Sequence, residues 1–205
     1  MNKTTLFGRL QVLLLLLAFI SGTVFAGNLD VNNSNATSFK LKDNTYSSIR
    51  VNNTVSGVDF VNVKTKEGDF TLFTIENYGF TSLLGDPKLP VVKKLIEVPL
   101  NATFDVEIIE QDFQEFNLSD YGIDSYVIPV QPSLSKSDDP ESVEFVYNRN
   151  VYLVDHFLGQ QLVRVTDLGI MRGVRIARLE IAPVFYNPVQ NTLRVYHNLE
   201  VKVNF

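Results

Sequence analysis

The sequence predicts an all-β domain, an antiparallel β-sandwich or jelly-roll, and three observations favour this fold class. Hydrophobic residues after position 57 recur with a period of two rather than 3.6, as in Val58, Phe60 and Phe70, Leu72. Gly, Pro, Asn and Asp bound these alternating runs at regular spacing, which is typical of sandwiches and not of βαβ units. β-Branched and aromatic residues dominate the same runs, so long amphipathic helices are not expected.

The N-terminal segment has the order of charged, apolar and small residues that is typical of a secretory signal peptide. Lys3 and Arg9 precede the apolar run Leu13–Ile20, and short side chains lead to Ala26. The run is too short to cross ~30 Å of hydrocarbon comfortably. We expect signal peptidase to cleave after Ala26, membrane contact only during export, and a secreted or cell-surface product.

Composition excludes several classes of function. Removal of residues 1–26 leaves 179 residues with 16 basic and 23 acidic side chains, a formal charge of −7. This charge disfavours a nucleic acid or an anionic membrane as the partner. The sequence contains no cysteine, which excludes disulfides, a thiol nucleophile and a cysteine-based metal site.

The domain is expected to follow a flexible leader. Residues 27–57 are rich in Asn, Ser and Thr and poor in bulky side chains, which predicts little buried structure there. The domain over residues 58–205 then begins with a hairpin, in which Val58–Val63 and Phe70–Ile75 pair across the turn Glu67-Gly68-Asp69.

Further strands are predicted along the rest of the chain. A second hairpin is expected at Asn187-Pro188, with Asn191 ending its turn, and a separate last strand over Leu199–Phe205. The runs between the two hairpins are Val91–Val98, Thr103–Glu110, Ser125–Val130, Glu144–Tyr147, Gln161–Leu168 and Val174–Pro183.

The sequence lacks the residue patterns of catalysis and cofactor binding. His156 and His197 are each isolated in a strand-like run, which favours a structural role over general-base chemistry. The acids around Asp138 lack the fixed spacing of a calcium site, and the glycines do not form a phosphate-binding pattern. We therefore expect neither enzymatic activity nor a cofactor or metal.

Two motifs are more specific than the alternating pattern. The first is Gly85-Asp86-Pro87-Lys88-Leu89-Pro90-Val91-Val92, and the second runs from Pro183 through Tyr186-Asn187-Pro188 to Tyr196. In this order and separation they resemble the propeptide domain of gingipain-type secreted cysteine peptidases. The resemblance implies a β-sandwich that inhibits and helps to fold the peptidase catalytic domain, in cis or in trans, in a bacterial envelope pathway.

The same resemblance suggests where inhibition arises. When the loop of residues 131–141 is anchored on Pro140 and Tyr147, Lys136 falls at the inhibitory basic position of the family, with Ser135, Ser137 and Asp138 beside it. The family places such a side chain in the specificity pocket of the enzyme. By composition alone, a solvated surface lysine is favoured.

Two alternatives stay open at this point. Such propeptides continue into a peptidase with its own His and Cys, so the chain is expected to be either the N-terminal part of a precursor or a stand-alone relative. A secreted adhesion or carbohydrate-binding β-sandwich would share the fold and differ in function. An exposed aromatic patch would favour that second function, whereas binding at Lys136 would favour the first.

Overall fold

The computed structural model describes residues 25–31, 36–137, 139 and 142–205, and these residues form antiparallel sheets. The predicted all-β class is confirmed. Helical structure in the described ranges consists of two 3₁₀ turns, η1 (Leu118–Tyr121) and η2 (Val151–Leu153), and no helix there is long and apolar enough to span a bilayer. The strands are β1 (Ala26–Asp30), β2 (Ser38–Asn44), β3 (Ser48–Thr54), β4 (Gly57–Thr65), β5 (Gly68–Thr74), β6 (Gly79–Phe80), β7 (Pro90–Glu97), β8 (Asp105–Asn117), β9 (Val163–Met171), β10 (Val174–Ile181), β11 (Val184–Asn187) and β12 (Thr192–Asn204).

The strands are arranged in three sheets. One has the order β1-β4-β5, the second β6-β7-β10-β9, and the third β11-β12-β3-β2 with β8 also paired to β12. The 13 residues of β12 pair with β11 and then β3 along one edge, and with β8 along the other. This strand therefore organises the whole of the third sheet.

Alternate side chains of β12 contribute to two hydrophobic cores. Leu193 and Val195 pack in a first core with Phe73 of the β1-β4-β5 sheet. Farther along the strand, residues 199, 201 and 203 pack in a second core with Leu179 of the β6-β7-β10-β9 sheet. Burial of each such side chain stabilises the fold by roughly 1.5–3 kcal/mol relative to exposure. The third sheet is thus covered by two smaller sheets, one above each half of β12.

A partly buried hydrogen bond lies where the two cores meet. Tyr78 packs against both clusters, and its hydroxyl donates to Asn53 Oδ1 over 2.6 Å. Asn53 is fully buried on β3, and its Nδ2 has no hydrogen-bond partner among the described residues. Burial raises the pKa of Tyr78 to about 12, so the hydroxyl remains a donor at neutral pH.

Both predicted hairpins are confirmed. In the first, β4 pairs with β5, so that Val61 faces Leu72. In the second, Asn187 Oδ1 accepts hydrogen bonds from the Val189 and Gln190 amides, each 3.1 Å long, and Asn191 adopts a positive φ of 47°. Asparagine tolerates this left-handed conformation better than most residues, which explains its place in the turn.

The prediction of a separate last strand from Leu199 is wrong. β12 continues from Thr192 to Asn204, with a register shift against β8 between Tyr196 and Asn198. A bulge adds one residue without ending the strand, so the interrupted alternation near His197 marks an irregularity and not a turn.

The prediction of a flexible leader over residues 27–57 is also wrong for the part of that range that the structure describes. β3 lies between β12 and β2, and it contributes Ile49 and Val51 to the second core. Leu29 on β1 is fully buried in the first core. Polar residues conceal these strands in the sequence, because side chains such as Thr54 are buried in the sheet as hydrogen-bonded groups.

Two predicted strands are extended segments outside the regular sheets. Residues 125–130 form only isolated bridges, Thr71 with Val127 and Pro87 with Pro129. Proline has no amide hydrogen to donate, so a strand containing Pro129 cannot form a full ladder. Residues 144–147 likewise have no strand assignment, although they return the chain to the domain after the loop that contains Lys136.

Candidate functional site

The Lys136 loop, residues 131–141, places the predicted inhibitory residue at an exposed turn. Lys136 and Ser137 occupy the turn, and both side chains are exposed. Ser135 Oγ and Ser137 Oγ lie 3.2 Å apart, so the two flanking hydroxyls can hydrogen-bond to each other. Asp138 lies outside the described residues. The structure therefore brings Lys136, Ser135 and Ser137 together at the outer end of the loop.

The chain after the loop folds back locally. The amide and the hydroxyl of Ser142 both donate to the carbonyl oxygen of Asp139, over 2.9 and 2.8 Å. This contact joins residues 139 and 142, and the segment that follows meets the segment before the loop where Gln131 pairs with Val146.

The two arms of the loop are joined at a structure that we call the neck, formed by Gly85 and Gln131 between residues 129–130 and 146–148. Gly85 supplies the inner layer: its amide donates to the Val130 carbonyl over 2.9 Å, and its carbonyl accepts from the Asn148 amide over 3.1 Å. Gly85 has a φ of +80°. The first sequence motif thus holds the loop, in addition to starting the strand β7 at Pro90.

Gln131 supplies the outer layer of the neck. Its Oε1 accepts from the Val146 amide over 3.0 Å, and its Nε2 donates to the Val146 carbonyl over 2.8 Å. The same Nε2 lies 3.2 Å from the Pro129 carbonyl. A side-chain amide therefore makes the donor-and-acceptor pair that a neighbouring strand would otherwise make with Val146.

Aromatic side chains attach the returning arm of the loop to the domain. The Phe70 ring lies 5.6 Å from that of Phe145 and 5.5 Å from that of Tyr147, and Tyr147 lies 4.8 Å from Tyr152. Tyr152 is buried, and its hydroxyl donates to the Val127 carbonyl over 2.9 Å. Burial raises the pKa of both Tyr147 and Tyr152 above the usual range.

A surface ion pair links the neck to the first hairpin. Arg149 Nη2 lies 2.9 Å from Glu67 Oε2 in the turn between β4 and β5, and the Arg149 guanidinium lies 5.4 Å from the Tyr147 ring centre. The Arg149 side chain is 72% exposed, so the ion pair adds little to stability. It does orient Arg149 across the Tyr147 ring.

An open groove lies beside the neck. Its lining comes from Pro132, Leu134 and Phe145 on the loop side and from the range 64–66 at the end of β4. Leu134 is 51% exposed. A protein bound at Lys136 would have apolar surface to cover directly beside the charged residue.

The two histidines lie away from this loop in the chain. His156 is exposed in the segment after η2, and His197 lies in β12, where its carbonyl accepts from the Val55 amide over 2.9 Å. Within the described ranges, no three His, Asp or Glu side chains are grouped to hold a metal ion. Among the described residues, the site therefore consists of the exposed ammonium group of Lys136 on a loop that the neck ties to the domain.

The sequence did not identify Gln131 as part of the site. Glutamine is an ordinary residue in a polar loop, and its pairing with Val146 joins positions 15 residues apart. The role of Gly85 in the neck was likewise missed, because its motif indicated only a family resemblance.

Comparison with known proteins places the chain in one family. The family model Propeptide_C25 matches residues 31–205. A curated relative, Lys-gingipain of Porphyromonas gingivalis, is 46% identical over 148 residues, which is 72% of this chain and 8% of the relative. The chain therefore corresponds to a small part of that longer protein.

Two solved structures share the fold. A chain from a study of the zymogenic latency of gingipain K of P. gingivalis is 39% identical, with a TM-score of 0.81 over 88% of this chain and 98% of its own length. A chain from the complex of the P. gingivalis RgpB pro- and mature domains is 26% identical, with a TM-score of 0.70 over 81% of this chain and 84% of its own.

Proposed function

The chain belongs to the Propeptide_C25 family, and on that premise we propose that it binds the catalytic domain of a gingipain-type cysteine peptidase, keeps it latent and assists its folding. The observation that carries the proposal is the fold match along 98% of the gingipain K chain, which comes from a study of zymogenic latency. The RgpB structure, in which pro- and mature domains form a complex, supports the same kind of partner. The peptidase domain is either part of the same precursor polypeptide or a separate protein.

In the proposed complex, the domain contributes a blocking side chain and the peptidase contributes the catalytic groups. The chain has no cysteine with which to form a thioester. Lys136 enters the specificity pocket, where its ammonium group pairs with a carboxylate at the pocket floor. Exclusion of water strengthens this pair well beyond a surface ion pair, and substrate is blocked. The exposed position of Lys136 at the end of a held loop supports this role.

The residues beside Lys136 have supporting roles in this proposal. Ser135 and Ser137 are small, so they leave room for the pocket walls. Asp138, with the neighbouring acids Asp139 and Glu141, makes the loop a poor substrate by placing negative charge directly after the Lys136–Ser137 bond. Kinetics of cleavage after Lys136, before and after Asp138→Asn, check this point, and an unchanged rate would remove Asp138 from the site.

The partner is proposed to accept lysine. The curated relative that is 46% identical is named a Lys-gingipain, and the gingipain K structure is more similar in sequence than the RgpB structure, 39% against 26%. A lysine ammonium is a compact charge, whereas arginine fills a pocket with a planar fork, so the two are not interchangeable. Lys136→Arg is therefore expected to weaken inhibition of a lysine-accepting peptidase.

Export is proposed to proceed through the signal peptide, with cleavage after Ala26. Ala26 is the first residue of β1, and Phe25 packs on Phe60 with ring centres 5.7 Å apart. Cleavage there removes Phe25 and leaves Gly27–Asp30 paired with β4. N-terminal sequencing of the exported protein is expected to begin Gly-Asn-Leu-Asp, and any other first residue would move the site.

The proposed function is tested with mature Lys-gingipain purified from P. gingivalis and the full chain produced in an exporting bacterial host. We expect a one-to-one complex in size-exclusion chromatography and loss of hydrolysis of a lysyl-p-nitroanilide peptide. RgpB, assayed with an arginyl substrate, is expected to be inhibited less. Absence of both complex formation and inhibition with either peptidase would contradict the proposal.

One observation favours the second candidate function, binding of a carbohydrate or an adhesion partner. Phe113 on β8 is 50% exposed, its ring lies 5.4 Å from that of Tyr196, and the Arg194 guanidinium lies 4.8 Å from it. Exposed aromatic faces can stack on sugars. Glycan-array binding that is lost in Phe113→Ser would support this function, and an empty array would dismiss it.

A further inference from the structure

The arms of the Lys136 loop are held together through inserted groups and not by direct pairing. Among the described residues, no hydrogen bond joins the main chain of residues 129–131 to that of 146–148. Gly85 is inserted as an inner bridge, and the Gln131 side chain is inserted as an outer one. The outer bridge lies closer to Lys136 in the chain, so it is the nearer of the two ties to that residue.

We infer that Gln131 is a positioning residue that makes the Lys136 loop an inhibitor and not a substrate. The inference rests on the proposed function and concerns the regulation of the same site. With both bridges closed, the two arms are tied at Gln131 and Val146, and Phe145 beside this tie packs on Phe70. With the outer bridge absent, the arm before Lys136 gains freedom back to the Gly85 layer, whereas the returning arm keeps its aromatic contacts with Phe70 but loses its tie to the first arm.

The planar amide of Gln131 suits this role. Three contacts of 2.8–3.2 Å converge on one side-chain amide, which fixes its orientation relative to both arms. Gln131 is half-buried, so water competes less with these hydrogen bonds than at an exposed site. A loop that is already ordered loses less conformational entropy when an enzyme binds it, which tightens binding.

The neck also determines the fate of the loop once the peptidase attacks it. The peptidase thiolate attacks the Lys136 carbonyl, a thioester forms, and the Lys136–Ser137 bond breaks as the Ser137 nitrogen takes up a proton. Because the neck holds both arms, the new amine stays beside the thioester at high effective concentration. The amine then attacks the thioester and gives up the proton that it gained, the peptide bond forms again and the thiolate is released. Hydrolysis by water, which completes cleavage, is correspondingly slow.

The test compares the full chain with Gln131→Ala, Gln131→Glu and a matched surface control, Gln161→Ala. Each protein is incubated with purified Lys-gingipain, and cleavage of the Lys136–Ser137 bond is followed by mass spectrometry beside residual peptidase activity. We expect Gln131→Ala to be cut at least tenfold faster, with inhibition that decays over time. Gln131→Glu keeps the acceptor for the Val146 amide and should be intermediate, and Gln161→Ala should match the wild type.

Loss of stability alone must not produce this result. Val51→Ala, a change in the second core, serves as the control for destabilisation and should leave the cleavage rate at Lys136–Ser137 unchanged at a similar fall in Tm. Should Gln131→Ala fail to fold, Gln131→Glu carries the same comparison. Equal cleavage rates in the wild type and the folded Gln131 variant would overturn the inference.

Trypsin separates this inference from the proposed function, because trypsin cuts after lysine without recognising the domain. The inference predicts faster trypsin cleavage after Lys136 in Gln131→Ala than in wild type, since loop proteolysis follows local opening. If the wild type does not inhibit gingipains, the proposed function is wrong. The trypsin cleavage rates of wild type and Gln131→Ala still decide the role of Gln131 in that case. Equal trypsin rates would remove that role even where inhibition is found.

Discussion

At the scale of single residues, Gly85 is constrained both by its backbone and by its neighbours. Its φ is +80°, and a Cβ there would lie 3.0 Å from the Asn148 nitrogen and 3.3 Å from Val146 Cγ1. Gly173, in the turn between β9 and β10, has a φ of +83° with no atom within 4 Å of such a Cβ. Substitution of Gly173 by alanine therefore introduces backbone strain alone, whereas the same substitution at Gly85 introduces backbone strain and steric crowding.

We predict that Gly85→Ala destabilises the domain more than Gly173→Ala. The left-handed backbone alone costs about 1–2 kcal/mol for a residue with a Cβ, and both variants carry this cost. Gly85→Ala must in addition move Asn148, which weakens the neck. The free energies of unfolding from urea titration check the order. Equal falls in the free energy of unfolding would mean that Asn148 moves away from the new Cβ without destabilising the neck.

A second residue-scale prediction concerns Tyr78. Tyr78→Phe removes the donor to Asn53 Oδ1 and leaves a buried acceptor unpaired, which is expected to cost about 1–3 kcal/mol at neutral pH. The pKa of Tyr78 is raised to about 12, from 10.0. A group whose pKa is higher in the folded state stabilises the fold fully at pH values below its unfolded pKa. This stabilisation is lost as the pH rises toward the folded pKa.

The advantage of wild type over Tyr78→Phe should therefore be constant below pH 10 and shrink between pH 10 and 12. The expected slope is about 1.4 kcal/mol per pH unit. Urea titrations of both proteins at several pH values give this difference directly. Other buried tyrosines affect both proteins alike, so they cancel. A difference that is independent of pH up to 12 would contradict the assignment.

At the scale of elements, β3 shows how far the N-terminal segment belongs to the domain. Val51 on β3 is 1% exposed, whereas its partner across the strand pair, Leu41 on β2, is 57% exposed. We predict that Val51→Ala costs about 2 kcal/mol through the cavity it leaves, and that Leu41→Ala changes stability by less than about 0.5 kcal/mol. Thermal or urea unfolding measures both. A flexible leader would make both substitutions neutral.

The elements that the sequence predicts well are those in which β-branched and other apolar residues lie between turn residues. β4, β5, β7, β9 and β10 lie within a few residues of the predicted runs, although burial does not alternate strictly along them: Val163 is the one buried residue of β9. β3 escaped prediction because two of its buried positions are Asn53 and Thr54, whose polar side chains look like those of a loop. Long-range hydrogen bonds make their burial tolerable, and no local pattern reveals such bonds.

The candidate site follows the same division. Lys136 is proposed for the site through resemblance to a family, since exposure and charge by themselves describe most surface lysines. The neck could not be placed, because Gln131, Gly85 and Val146 are distant in sequence and meet only in the fold. The loop is therefore fixed by a tertiary contact, and only the structure reveals it.

At the scale of the whole molecule, the first core supports the loop. Val127, Tyr152 and Tyr147 connect the neck to the cluster that covers the first half of β12. The second core covers the other half of the same strand. The continuous strand β12 therefore runs from the core beside the neck into the second core, so both cores are built on one strand.

The role of Lys136 is tested most directly by the inhibition constant of Lys136→Ala against purified Lys-gingipain, beside that of Lys42→Ala, an exposed lysine on β2. Loss of a charged anchor that is buried in the complex is expected to cost at least about 2 kcal/mol, or roughly a 30-fold rise in the constant. Lys42→Ala should inhibit like wild type. Equal inhibition by both variants and the wild type would contradict the central role of Lys136.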